Sequence, residues 1–190
     1  MLNSNGLKTK LREFCDPDFV STLASFRGFP TTKAAARAEW ALVFANYVTQ
    51  AEEDVTPTMP PGHPTMSMTS VKTAFEGALV LAESISAAAS AADFAGAWQA
   101  GIGAITPLGL VPDTTGNTAY TFLMFTNVTP QHDALCTTLT TLFSNPTIST
   151  VQRLGDIAAA FHAATDGLSA SFTKTIVATG VGNPAVAGIK

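Results

Sequence analysis

Charge is what this chain most lacks. Lys, Arg, Asp and Glu make up 13% of its 190 residues, against about 25% in an average soluble domain. The shortage is uneven, because no Lys or Arg falls between Lys72 and Arg153. Nucleic-acid binding draws on cations that displace phosphate counterions, and this long middle stretch has none. Lys8, Lys10, Arg12, Arg27, Lys33 and Arg37 lie near the N-terminus, but Glu13, Asp16, Asp18 and Glu39 interleave with them. No basic patch results, and DNA or RNA is not an expected partner.

Cysteine is nearly absent. Cys15 and Cys136 are too few for a disulfide framework or a zinc site. Two free buried thiols are expected, with one long-range disulfide as the other option. The opening "MLNSNGLKTKLREFC" has no apolar h-region, so synthesis in a cytoplasm without export by that route is expected. One uncharged apolar stretch, residues 94–112, is long enough to test as a membrane span. Four glycines, Gln99, Pro107 and Pro112 interrupt it, and no basic flank sets an orientation. A buried helix of small residues is expected there, and no membrane partner.

Catalytic signatures are lacking too. Ser171-Phe172-Thr173-Lys174 matches Ser-x-x-Lys without the accompanying motifs. Gly180-x-Gly182-x-x-Ala185 has the spacing of a dinucleotide-binding turn. That chemistry needs a helix N-terminus at the pyrophosphate, and Pro184 stands in the way. Asp16-Pro17-Asp18 reads as a turn or cap. His132 and Cys136 sit one turn apart, but Cys136 aligns with Leu139 and Phe143 on the core side of its helix. A buried thiol is the reading taken. The alternatives are a metal-binding or enzymatic centre on His132, Cys136 and His162, or a membrane-active helical protein using residues 94–112. The chain is expected to be no enzyme, with no cofactor, bound metal or small-molecule substrate.

What the chain has in place of charge is hydroxyl, from 27 threonines and 12 serines. A surface built this way loses little on being covered, because few charges must be desolvated. It suits a protein largely enclosed by neighbours. Hydrophobic residues reach 46%, enough for a sizeable core.

Helical spacing organises most of the length. Leu7, Leu11 and Phe14 predict a short helix that ends at "CDPDF". Thr31 or Thr32 caps a helix running from about Thr32 to Asp54, with Glu39, Asn46, Gln50 and Glu53 on one narrow stripe. Glu39 there is read as an exposed edge or a partner of Arg37. "PTMPPGHPTMSMTS", residues 57–70, holds four prolines and three methionines and is either a linker or a stiff apolar docking loop. A second helix begins near Ser70, with Val71, Phe75, Ala78, Ala82 and Ile85 on one face. It bends or restarts near Asp93 and breaks at Pro107. Its Gly96/Ala100 and Ala97/Gly101 pairs allow close helix packing. "AYTFLMFTNV" lacks clean alternation, so strand and buried helix are not separated, and a loop with a short extended or helical piece is expected. Thr129 caps a helix with Pro130 at its first position and Leu135, Leu139 and Leu142 as its stripe. Ser149 and Gln152 form a capping box for the last helix, which faces Val151, Leu154, Ala158, Phe161 and Thr165 inward and stops at Asp166-Gly167.

Taken together, the Ala-rich helix "ARAEWALVFANYV", the proline loop, the Ala/Gly-rich pair, "LFSNPTIST" and "AAAFHAATDGLSASFTKTIVATGVGNP" resemble small Ala- and Thr-rich structural proteins of tailed-phage virions. The resemblance is spread over most of the chain. It implies a non-enzymatic part of a tail, baseplate or neck, present in symmetric copies, made in the host cytoplasm and resident in the virion. The implied partners are other virion structural proteins and copies of this chain. It carries over no catalytic residues.

The expected fold is mainly α: a bundle of about four long helices with extended N- and C-terminal arms and a minor β element. Residues 1–30 form an N-terminal helix and arm. Residues 31–168 form the helical core, with the Pro/Met-rich loop at 55–69. Residues 169–190 form a β-like docking tail. The docking residues are Met59, Met66, Met68, Phe172, Ile176 and Val177. The tail is expected to pack on a neighbour, the alternative being a strand folded back on "AYTFLMF" of the same chain.

Overall fold

The structure, a computed structural model, describes residues 3–20, 29–48, 53–54, 65–66, 68–82, 86–105, 107–108, 111–112, 118–176 and 181–189. The chain is mainly helical. In order, the helices are α1 (Ser4–Cys15), α2 (Pro17–Val20), α3 (Lys33–Val48), α4 (Met68–Ala78), α5 (Ala87–Gly103), α6 (Val128–Ser144) and α7 (Thr150–Asp166). The strands are β1 (Glu53–Asp54), β2 (Thr65–Met66), β3 (Pro107–Leu108), β4 (Val111–Pro112), β5 (Thr118–Phe125), β6 (Ser169–Ile176) and β7 (Val181–Ile189).

The apolar stripes explain the packing. Leu7, Leu11 and Phe14 bury one face of α1 against α3 and α7. Thr32 caps α3 as expected, its Oγ1 accepting from the Ala35 amide at 3.1 Å. Phe44 of α3 stacks on Phe75 of α4, ring centres 4.6 Å apart, and Phe161 of α7 lies 5.7 Å from Phe44. Such pairs contribute about 0.5–1.5 kcal/mol beyond their burial. Trp98 of α5 is fully buried. Of the two small-residue pairs, only Ala97/Gly101 faces the core. A Cβ on Gly101 would stand 2.8 Å from Phe44 Cε1, whereas one on Gly96 meets nothing within 4 Å.

Four expected boundaries move. The described part of α3 ends at Val48, and Glu53–Asp54 is the strand β1, paired antiparallel with Ile189 and Gly188 of β7. The helix predicted from Ser70 is two helices. Leu81 has φ 51°, a left-handed backbone that no α-helix continues through. The break is held by Asp93 of α5, whose carboxylate oxygens accept from the Val80 and Leu81 amides at 2.7 and 2.8 Å. The restart is therefore at Ser86, the N-cap of α5, and Asp93 serves the preceding helix from a distance. The described residues within 94–112 belong to the end of α5, through Gly103, its cap Ala104 with Ile105, and the strands β3 and β4.

The third change is at α6, whose N-cap is Asn127 instead of Thr129. Asn127 makes no side-chain bond to its own helix. Its Nδ2 donates to Gly167 O at 2.6 Å, and its Oδ1 accepts from the Ser169 amide at 2.7 Å. It thus joins the start of α6 to the end of α7. Gly167 has φ −76°, so it is no left-handed stop. Its lack of a Cβ instead leaves room for the Gln131 amide, which a Cβ would meet at 2.6 Å.

The fourth change concerns the β element. Thr118–Phe125 is a strand, and Ser169–Ile176 pairs with it in antiparallel register, Thr118 opposite Ile176 and Phe122 opposite Phe172. The sheet order is β1-β7-β6-β5-β4, with β2 and β3 as a separate pair. The register shifts between Phe122 and Met124. An inserted residue flips the faces beyond it, which is why "AYTFLMF" shows no clean alternation. Residues 169–176 are therefore paired with β5 and 181–189 with β6 of the same chain, and for these described residues the reading in which the tail extends to a neighbour is replaced by its alternative. The backbone groups of β6 are satisfied by β5 on one side and β7 on the other, so they have no call for a foreign strand.

Candidate functional site

The sequence places nine residues as docking or site candidates. Met59 and Val177 lie outside the described residues. Met66 is in β2, and Phe172 and Ile176 are in β6, strands that already have partners in this chain. Met68, at the start of α4, is exposed. His132, Cys136 and His162 are engaged separately. His132 Nδ1 is 2.9 Å from Asp133 Oδ1. His162 Nδ1 is 2.7 Å from the Tyr47 hydroxyl on α3. Cys136 is half-buried and free, as is Cys15, whose thiol burial pushes up to about 12. A thiol so raised is a poor nucleophile. Among the described residues no three His, Cys, Asp or Glu side chains are grouped to hold a metal, and no helix is long and apolar enough to cross a membrane.

Asp16, at the "CDPDF" break, is a structural cap. It is 2% exposed. Its Oδ2 accepts from Arg12 Nε at 2.8 Å, and its Oδ1 accepts from the Asp18 and Phe19 amides. The Arg12 hydrogen bond, followed by those amides and the Arg12 charge, outweighs burial and holds the carboxyl below its usual range.

Inside the bundle, one polar cluster joins three helices. Trp98 Nε1 of α5 donates to Thr165 Oγ1 of α7 at 3.0 Å, and Thr165 donates on to Phe161 O at 2.8 Å. Tyr47 of α3 is 3% exposed. Burial and then the Asp166 charge raise its phenol above the usual range, with a Thr165 hydrogen bond opposing them. The sequence singles out His162 but pairs it with α6. Its partner is 115 positions away on α3, with no local spacing to announce it. An apolar void of about 10 Å³ in the core, lined in part by Leu11, Phe44 and Phe161, leaves no room for a substrate there.

The outer surface of α6 and α7 is the other candidate. Four threonines of α6 turn their hydroxyls onto their own helix. Thr137, Thr138, Thr140 and Thr141 donate to the carbonyls of Asp133, Ala134, Cys136 and Thr137 at 2.8–3.2 Å. Each hydroxyl hydrogen is spent internally, and three of these four residues are exposed. Asp133 is the single Asp, Glu, Lys or Arg in α6. Beside them a groove of about 440 Å³ runs between α6 and α7, floored by Leu135, Ala160 and Ala164 and edged by Gln131, Thr138 and Asp156. Its size is that of a ligand site, but it lacks the converging polar groups that fix a small molecule. No family model, curated protein or solved structure matches this chain.

Proposed function

We propose that this chain is a non-enzymatic structural subunit of a phage virion, a tail, baseplate or neck component. It is made in the host cytoplasm and works in the particle by binding other virion proteins and copies of itself. The observation that carries the reading is the outer face of α6, where hydroxyls are satisfied on their own backbone and one charge stands in 17 residues. Covering such a face displaces little bound water and strands no charge. The second proposed contact is the Pro/Met-rich segment 55–69, of which 55–64 and 67 lie outside the described residues, because proline-rich sequence loses little entropy on docking.

The test is a mass-spectrometric inventory of purified particles with chemical cross-linking. Peptides of this chain are expected in fixed stoichiometry. Recovery of the chain only in the particle-free soluble fraction would defeat the proposal.

A further inference from the structure

The sequence holds one Asn-Gly pair, Asn5-Gly6, and it lies in the first turn of α1. Such a pair carries its own chemistry. The glycine nitrogen, unscreened by a side chain, attacks the Asn side-chain carbonyl carbon. Its hydrogen goes to base, the new C–N bond closes a succinimide ring, and the Asn amide nitrogen takes a proton and leaves as ammonia. Water then opens the ring to Asp or isoAsp. Asn5 is exposed, so water and base reach it. The nucleophile is held back. Gly6 N–H donates to Asn3 Oδ1 at 2.9 Å, the N-cap bond of α1. The backbone is tied on both sides of the pair, because Leu7 N–H donates to Asn3 O at 3.0 Å and Thr9 Oγ1 donates to Asn5 O at 2.9 Å. Ring closure needs the Asn5–Gly6 peptide to turn out of the helical ψ, and these bonds oppose the turn.

We infer that Asn5 is a deamidation site built into α1 and that the Asn3 cap is its latch. Gly6 explains why site and latch coincide. A Cβ there would stand 3.3 Å from Asn3 Cγ and Nδ2, closer than ordinary contact. The residue that lets the cap close is therefore the one that leaves the nitrogen bare. Reaction proceeds from the frayed first turn, so the stability of the cap sets its rate. The product bears on the fold. IsoAsp runs the main chain through the side-chain carbons and adds one atom to the turn that sets Leu7, 5% exposed, into the core. Conversion of Asn5 thus loosens α1 from α3 and α7, the helices on which it packs. The inference concerns α1 alone and does not depend on the virion reading.

Peptide mass spectrometry of the full chain held at pH 8 is the test, with fragment ions separating Asn5 from Asn3. The unmodified chain, Asn3→Ala and Asn3→Ser are each followed folded and in guanidinium. Folded, Asn3→Ala is expected to convert Asn5 about fivefold faster than the unmodified chain, the change in fraying that loss of such a cap produces. Asn3→Ser caps as well as Asn and is expected to stay within about twofold of the unmodified rate. In guanidinium all three convert at one rate, faster than the unmodified chain when folded. An Asn3→Ala rate no higher than the unmodified one overturns the latch. The unmodified chain decides the same point without any variant, because equal rates folded and unfolded also overturn it. Absence of conversion at Asn5 in guanidinium removes the site itself.

Discussion

Trp98 and Thr165, on separate helices, meet through one hydrogen bond of 3.0 Å in the interior of the bundle. Both side chains are buried to 1% exposure or less, so water is no substitute for either partner. Thr165→Val keeps the shape and removes the acceptor. It is expected to cost about 1–3 kcal/mol in urea unfolding, the penalty for an indole N–H left unmatched. Thr165→Ser keeps the hydroxyl and is expected to cost less. Equal losses in the two variants would mean that packing, and not the bond, matters there.

Gly101 and Gly96 lie on one helix and should respond oppositely to alanine. At Gly101 the new methyl meets the Phe44 ring at 2.8 Å, and overpacking of this kind costs about 1–3 kcal/mol. At Gly96 it meets nothing within 4 Å, so the helix gains about 0.8–1.0 kcal/mol from the better propensity. Thermal melts of the two variants beside the unmodified chain check both signs.

Asp93 ties the end of α4 to the middle of α5. Asp93→Ala removes both acceptors for the Val80 and Leu81 amides. The expected loss is about 1.5–3 kcal/mol, since the acceptor is charged. Hydrogen exchange should show the loss first at residues 79–82. Unchanged exchange there, with a normal melt, would show that the left-handed Leu81 is held by its packing alone.

Asp16 makes stability depend on acid. Its folded carboxyl is held below the usual range, so its contribution is present above the unfolded value of about 3.9. It is lost as pH falls through the lower folded value. Urea midpoints of the unmodified chain are expected to fall in that window. Asp16→Asn starts lower at neutral pH and falls less steeply. Parallel curves for the two would assign the acid sensitivity to other carboxylates.

Much of the helical plan was legible because a helix writes itself locally. Leu7, Leu11 and Phe14, or Leu154, Ala158 and Phe161, are spaced at the period that buries one face, and all six are buried. Ser149 is a cap whose hydroxyl oxygen accepts from the Gln152 amide three residues on. The features that escaped are those whose cause lies far away in the chain. Asp93 looks like a helix start and instead closes the helix before it. Asn127, where the sequence reads Thr129 as the cap, is itself the N-cap and clamps the end of α7. The break in alternation in "AYTFLMF" is a bulge, visible only once the partner strand is placed. The sequence offers His162 only beside His132 and Cys136, and its companion Tyr47, 115 positions away, has no spacing to betray it.

The order of elements along the chain has a consequence for biosynthesis. β5 emerges before α6 and α7, while its partner β6 emerges after both. Helices α3 to α5 can collapse on local contacts as they leave the ribosome, because short-range contacts form fastest. β5, with its run of Tyr120, Phe122, Leu123, Met124 and Phe125, has to wait for two further helices to be translated before β6 can cover it. During that interval it is an uncharged, unpaired edge, the kind that recruits other nascent chains. The five-stranded sheet of the finished protein is thus also the point at which its synthesis is most exposed to misassembly, and slower elongation through α6 and α7 would lengthen the risk.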